Sequence, residues 1–89
     1  MKPTEIRTQI KSIIGKVSGL DPARIGDNDK LRDDLNLDSL SLLEIGVDVD
    51  MAFKLELPDE RYKEIDSIPD MVGLVQDRLA ELQPQTMQM

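Results

Sequence analysis

The sequence predicts an all-α protein: a small four-helix bundle with three long helices, one short one, and a long loop between helices 1 and 2. Apolar residues recur at helical spacing near both ends of the chain. Only one run alternates in the manner of a strand, and it has no second run to pair with. The 89 residues contain no cysteine, so the fold must hold on a thin core without disulfides. With one Phe and one Tyr, that core must be built from Ile, Leu, Val and Met.

In the first helix, Ile6, Ile10, Ile13, Ile14 and Val17 form one apolar face. Thr4 after Pro3 is the expected N-cap and Gly19 the expected C-cap. From Leu20 to Leu37 no period persists. Asp21-Pro22 and Gly26-Asp27-Asn28-Asp29 are turn signals, and Leu20, Ile25, Leu31, Leu35 and Leu37 are isolated apolar anchors. An ordered loop of this length is uncommon and is often functional.

From Ile45 to Leu57 every second residue is apolar, which is the strand period. A lone strand would leave its backbone groups unpaired, so a helix from about Ser39 to Lys54 is the better reading. Leu42, Ile45, Val49 and Phe53 then form one stripe, and Leu40, Leu43, Val47 and Met51 a second beside it. The second stripe is expected to pack against the loop or other helices. Asp38 would cap this helix at the positive end of its dipole.

Pro58-Asp59 marks a break, and Asp59 to Ile65 suits a short helix. Ser67-x-x-Asp70 has capping-box spacing and opens the last helix, with Met71, Leu74, Val75, Leu79 and Leu82 on one face. Gln83-Pro84 ends it. The helical domain is thus assigned to residues 1–83 and a disordered tail to 84–89. The Met1 start and short tail are expected of a free-standing chain.

Eleven Lys+Arg against 18 Asp+Glu give a net charge of −7, which disfavours a nucleic-acid partner. The charge is unevenly spread: net +3 over 1–32, −8 over 33–60 and −2 over 61–89. An acidic middle segment can attract basic partners over about a Debye length, or can simply be a solvated surface. No apolar run approaches membrane-spanning length, and the N-terminus lacks a signal-peptide core. A cytoplasmic monomer without membrane insertion is expected.

Histidine is absent as well as cysteine, which removes the commonest general base, thiolate nucleophile and metal ligands. Asp27-Asn28-Asp29 and Asp48-Val49-Asp50 alternate oxygen ligands, but both lack the EF-hand spacing, so no metal site is assigned. No glycine-rich phosphate loop is present. The chain is not expected to be an enzyme. What remains is Asp33-Asp34-Leu35-Asn36-Leu37-Asp38-Ser39-Leu40, which sets a serine hydroxyl at the junction of the loop and a helix N-terminus. A phosphodiester there would meet free N–H groups and the positive end of the dipole. Ser and Asp are also ordinary helix-start residues, so the tripeptide alone leaves both readings open.

The stretch resembles the attachment motif of acyl carrier proteins, and the resemblance runs from about Thr4 to Leu82. Ile13-Ile14-Gly15, Asp34-Leu35, Asp38-Ser39-Leu40, Glu44, Phe53, Leu57-Pro58-Asp59-Glu60 and Ile65 match the family's series in order and spacing. The resemblance implies that Ser39 receives 4′-phosphopantetheine from coenzyme A through a phosphopantetheinyl transferase, with Asp38 and Leu40 flanking it for recognition. It implies acyl groups carried as thioesters for fatty acid, polyketide or related specialised lipid biosynthesis. Acyl-transfer and chain-elongation enzymes would dock their basic patches on Glu44, Asp48 and Asp50. In such proteins an acyl chain can also slip between the helices. Asn36 stands where many relatives have Gly, Ser41 where an acid is frequent, and Gly46 to Ala52 departs most from the usual pattern. Two alternatives stay open: a helical interaction module without a prosthetic group, and an aminoacyl or D-alanyl carrier. Peptidyl carriers usually show a Gly-Gly-His/Asp-Ser motif, which Asn36-Leu37-Asp38-Ser39 is not.

Overall fold

The computed structural model describes residues 2–82, so the expected tail at 84–89 lies outside the described residues. Four helices follow in order: α1 Pro3–Ser18, α2 Ser39–Phe53, α3 Asp59–Lys63 and α4 Ile68–Leu82. Among the described residues none of these helices is long and apolar enough to cross a membrane.

Helix α1 starts earlier than its sequence implies. Lys2, not Thr4, is the N-cap, because Pro3 at the first helical position is already fixed at a helical φ. The Glu5 carboxylate accepts the Lys2 amide at 2.9 Å, occupying a donor that the helix cannot. Gly19 closes the helix in the left-handed region at φ 82°, with its N–H on the Gly15 carbonyl at 2.8 Å. Ile6, Ile10 and Ile14 are fully buried, and α1 packs on both α2 and α4.

The loop is ordered by two local devices. Pro22–Arg24 forms a 3-10 turn capped by the Asp21 carboxylate. Further on, the Asp34 and Leu35 amides bond the Lys30 carbonyl, and the Leu37 amide returns to Leu31 at 3.0 Å. Asn36 supplies the left-handed residue this needs, at φ 56°, so the turn keeps its shape without glycine. The loop then docks on the start of α4: the Leu31 amide bonds the Asp66 carbonyl at 2.8 Å, and the Ile68 amide bonds Asp29 at 2.9 Å. Ile25, Leu31 and Leu37 are buried anchors and Leu35 packs partly against them. Leu20 is an exception to the expected set, since it is exposed just past the left-handed cap.

In α4, Ser67 Oγ accepts the Asp70 amide at 3.3 Å, as a capping box requires. The return bond differs: Asp70 reaches the amide of Asp66, one residue before Ser67. Ile68, Met71, Val72, Leu74 and Val75 are buried, whereas Leu82 lies exposed at the helix end.

Helix α2 is apolar on two faces, and this explains its misleading period. Residues two apart on a helix differ by about 200°, so alternating apolar residues fall on opposite sides. Ile45, Val49 and Phe53 face the core. Leu40, Leu43, Val47 and Met51 lie about 160° away and not beside them. The second stripe is therefore not packed: these four residues are 65%, 40%, 43% and 70% exposed. The expectation that they bury against loop or helix is overturned by that angle.

Candidate functional site

Ser39 is the first residue of α2 and is exposed. Asp38 before it has an extended backbone, and its Oδ1 accepts the Ser41 amide at 2.8 Å. That amide, with the Ser41 hydroxyl second, holds the Asp38 carboxyl below its ordinary value. The carboxylate thus takes the third amide of the helix, Ser41, as its main partner. The approach to α2 is fixed by the left-handed Asn36 and by Leu37, whose side chain is buried.

Beside Ser39 lies a cleft of about 310 Å3. Ser39, Leu42 and Leu43 line it from α2, Asp59, Tyr62 and Lys63 from α3, and Arg32 from the loop. Its floor is apolar, and Arg32 and Lys63 are exposed cations at its rim. An exposed hydroxyl at the positive end of a helix and an adjoining cleft suit an esterified phosphate with a flexible arm. The donor set therefore fits a phosphopantetheine group, which none of the chain's own side chains could replace as a thiol.

The three acids of this helix part company. Glu44 is exposed and Asp48 half-buried, and at about 100° per residue both fall along one edge of the exposed stripe. Asp50 falls on the other side, where its Oδ1 accepts the Tyr62 hydroxyl at 2.7 Å and the Leu57 amide at 2.9 Å. Its carboxylate is engaged within the fold. Of the two acid-rich stretches weighed for cations, Asp27 pairs with Lys11 and, at 3.6 Å, Arg7. Asp29 takes the Gly26 amide. Among the described residues no group of three or more His, Cys, Asp or Glu could hold a metal ion.

Tyr62, Arg32 and Lys63 were not visible as site residues in the sequence. The available signal for Tyr62 was Gly46: a glycine in mid-helix costs about 1 kcal/mol relative to Ala and needs a packing reason. A Cβ on Gly46 would stand 3.0 Å from Tyr62 Cγ, so the ring lies directly on the α2 backbone.

A family profile described as "Phosphopantetheine attachment site" matches residues 8–75, well over half of the chain. The meromycolate extension acyl carrier protein of Mycobacterium bovis is 34% identical over 84 residues, covering 94% of this chain and 72% of that one. The acyl carrier protein of Thermobifida fusca is 32% identical over 72 residues, covering 81% of this chain and 91% of its own length. The fold is similar to the solution structure of the apo doublet acyl carrier protein from prodigiosin biosynthesis, with a TM-score of 0.76 at 22% identity. That match covers 83% of this chain, which spans 36% of the doublet. The chain belongs to the acyl carrier protein family, whose members bear 4′-phosphopantetheine and are carriers, not catalysts.

Proposed function

We propose that Ser39 Oγ is the point of attachment for 4′-phosphopantetheine, and that the chain works as a monomeric cytoplasmic shuttle for acyl thioesters. The single observation that carries this reading is the exposed Ser39 hydroxyl at the first position of α2, beside an apolar-floored cleft. Asp38 shapes the helix start, and the positive end of the α2 dipole favours an anion there. The arm supplies the thiol that the chain lacks.

Fatty acid, polyketide or related specialised lipid biosynthesis is the setting we infer. Relatives named for meromycolate extension support a role in extending lipid chains. Partner enzymes, a phosphopantetheinyl transferase among them, would meet the exposed stripe of Leu40, Leu43, Val47 and Met51, edged by Glu44 and Asp48. Acids around a small apolar patch favour fast encounter and ready release, which suits a protein that visits several enzymes. Asp50 contributes to this surface only indirectly, through the fold.

The test is intact mass after incubation with coenzyme A, magnesium and a broad-specificity phosphopantetheinyl transferase. Wild type is expected to gain one phosphopantetheine unit and Ser39→Ala none. No gain with active transferases, or an equal gain in the variant, would overturn the assignment.

A further inference from the structure

Tyr62 lines the cleft beside Ser39 from the α3 side. Leu42 and Leu43 line the same seam, between α2 and α3, from the α2 side. The Tyr62 ring is seated where α2 has no side chain: a Cβ on Gly46 would lie 3.0 Å from Tyr62 Cγ and 3.1 Å from its Cβ. At the far end of the ring the hydroxyl is tied to Asp50, one helical turn beyond Gly46, at 2.7 Å. The ring is thus fixed at both ends and spans one turn of α2. Val49 and Phe53, the core residues nearest that turn, are buried. A chain passing between α2 and α3 at Gly46 must displace Tyr62, together with a hydrogen bond to a carboxylate that also holds the Leu57 amide.

We propose that Tyr62 is a specificity-determining residue for the acyl cargo: its ring, seated on Gly46, closes the α2–α3 seam, so that only short acyl groups are sheltered beside Ser39. This rests on the reading that Ser39 carries the arm. The cleft, about 310 Å3, must admit the end of the arm as well as the cargo, which leaves room for a short acyl group and too little for a long chain. Longer chains leave their outer methylenes in solvent or pass them to the partner enzyme.

Tyr62 is the only tyrosine, and there is no tryptophan, so its fluorescence reports on the seam without labelling. The test loads wild type, Tyr62→Phe, Tyr62→Ala and the double variant Gly46→Val/Tyr62→Ala from butanoyl-, octanoyl- and hexadecanoyl-coenzyme A. The rate at which hydroxylamine cleaves each thioester is then measured. In wild type the three lengths are expected to be cleaved at about the same rate, with unchanged Tyr62 fluorescence, because methylenes beyond the ring gain no burial. Tyr62→Phe keeps the ring and the wild-type pattern. Tyr62→Ala opens the seam, and two more sheltered methylenes are expected to slow octanoyl cleavage about tenfold. The double variant returns bulk from the α2 side and restores uniform cleavage.

A purely structural role would lower stability without changing the dependence on chain length. If the alanine variant loses helicity, Tyr62→Leu carries the same comparison, and the wild-type series stands alone. Octanoyl protected over butanoyl in wild type, or a folded small-residue variant with no added protection, would overturn the proposal. Failure of wild type to accept any acyl-phosphopantetheine would instead sink the carrier reading.

Discussion

Asp50 Oδ1 on α2 accepts the Tyr62 hydroxyl of α3 at 2.7 Å and the Leu57 amide of the connecting turn at 2.9 Å. One oxygen therefore holds two segments that the sequence separates. The turn needs this support, because Lys54 and Glu56 both sit in the left-handed region, at φ 55°, without being glycine. Asp50→Ala is expected to destabilise the chain by about 2–3 kcal/mol, since two partly buried donors lose their partner. Asp50→Asn keeps an acceptor and is expected to cost about 1 kcal/mol. Urea unfolding checks both, and an alanine variant with an unchanged midpoint would refute this role.

The same bond sets a pH dependence. Burial first, then the hydrogen bond and charge of Asp50, push the Tyr62 phenol well above its ordinary value of 10.0. In the unfolded chain the phenol ionises near that ordinary value, whereas in the folded chain it stays protonated. The folded state then binds more protons, so its stability is complete below about pH 10 and falls as pH rises beyond it. Unfolding free energies for wild type and Tyr62→Phe between about pH 9 and 11 should therefore converge as pH rises. A constant difference across that range would show that the phenol is not held protonated.

The exposed stripe of α2 separates a packing role from a partner role. Val47→Gln and Met51→Gln are expected to shift stability by no more than about 0.5 kcal/mol, as substitutions of exposed side chains usually do. Ile45→Ala, on the buried face, is expected to cost about 2–5 kcal/mol. If the stripe is where enzymes dock, the two glutamine variants should lower kcat/KM for transferase loading by about tenfold while melting like wild type. Melting temperatures that fall with loading would return the stripe to a structural role.

What could be read in advance followed from how many faces an element buries. Helices α1 and α4 each have one core face, so the spacing of Ile6, Ile10 and Ile14, and of Met71, Leu74 and Val75, declared them. Helix α2 carries apolar residues on opposite faces, and Val47 and Met51 between Ile45, Val49 and Phe53 imitate a strand. Only the lack of a pairing partner argued against one. At the candidate site, Asp38 as cap and Ser39 as helix start were legible because caps and helix starts are local. Tyr62 was not, because its place depends on a contact with Gly46 and Asp50 that only tertiary packing creates. The first residues of α1 misled for a smaller reason, since Pro3 at the first helical position outranks Thr4 as a cap.

Asp38 offers a way to separate shape from charge at the start of α2. Its carboxyl is held below the ordinary value of 3.8 by the Ser41 amide first and the Ser41 hydroxyl second. For an acid with a lowered folded value, stability is present above the unfolded value and lost as pH falls through the folded one. The cap therefore contributes fully at neutral pH and fades below about pH 4. Asn is also a good N-cap, so Asp38→Asn should keep the bond to Ser41 while removing the charge. The variant is expected to be less stable than wild type at pH 7 and to approach it as the medium becomes acidic. Hydrogen exchange of the Ser41 amide at the two extremes checks this locally. Equal protection in both proteins at pH 7 would mean that the charge at the head of α2 adds nothing to the hydrogen bond, and that Asp38 matters beside Ser39 for geometry alone.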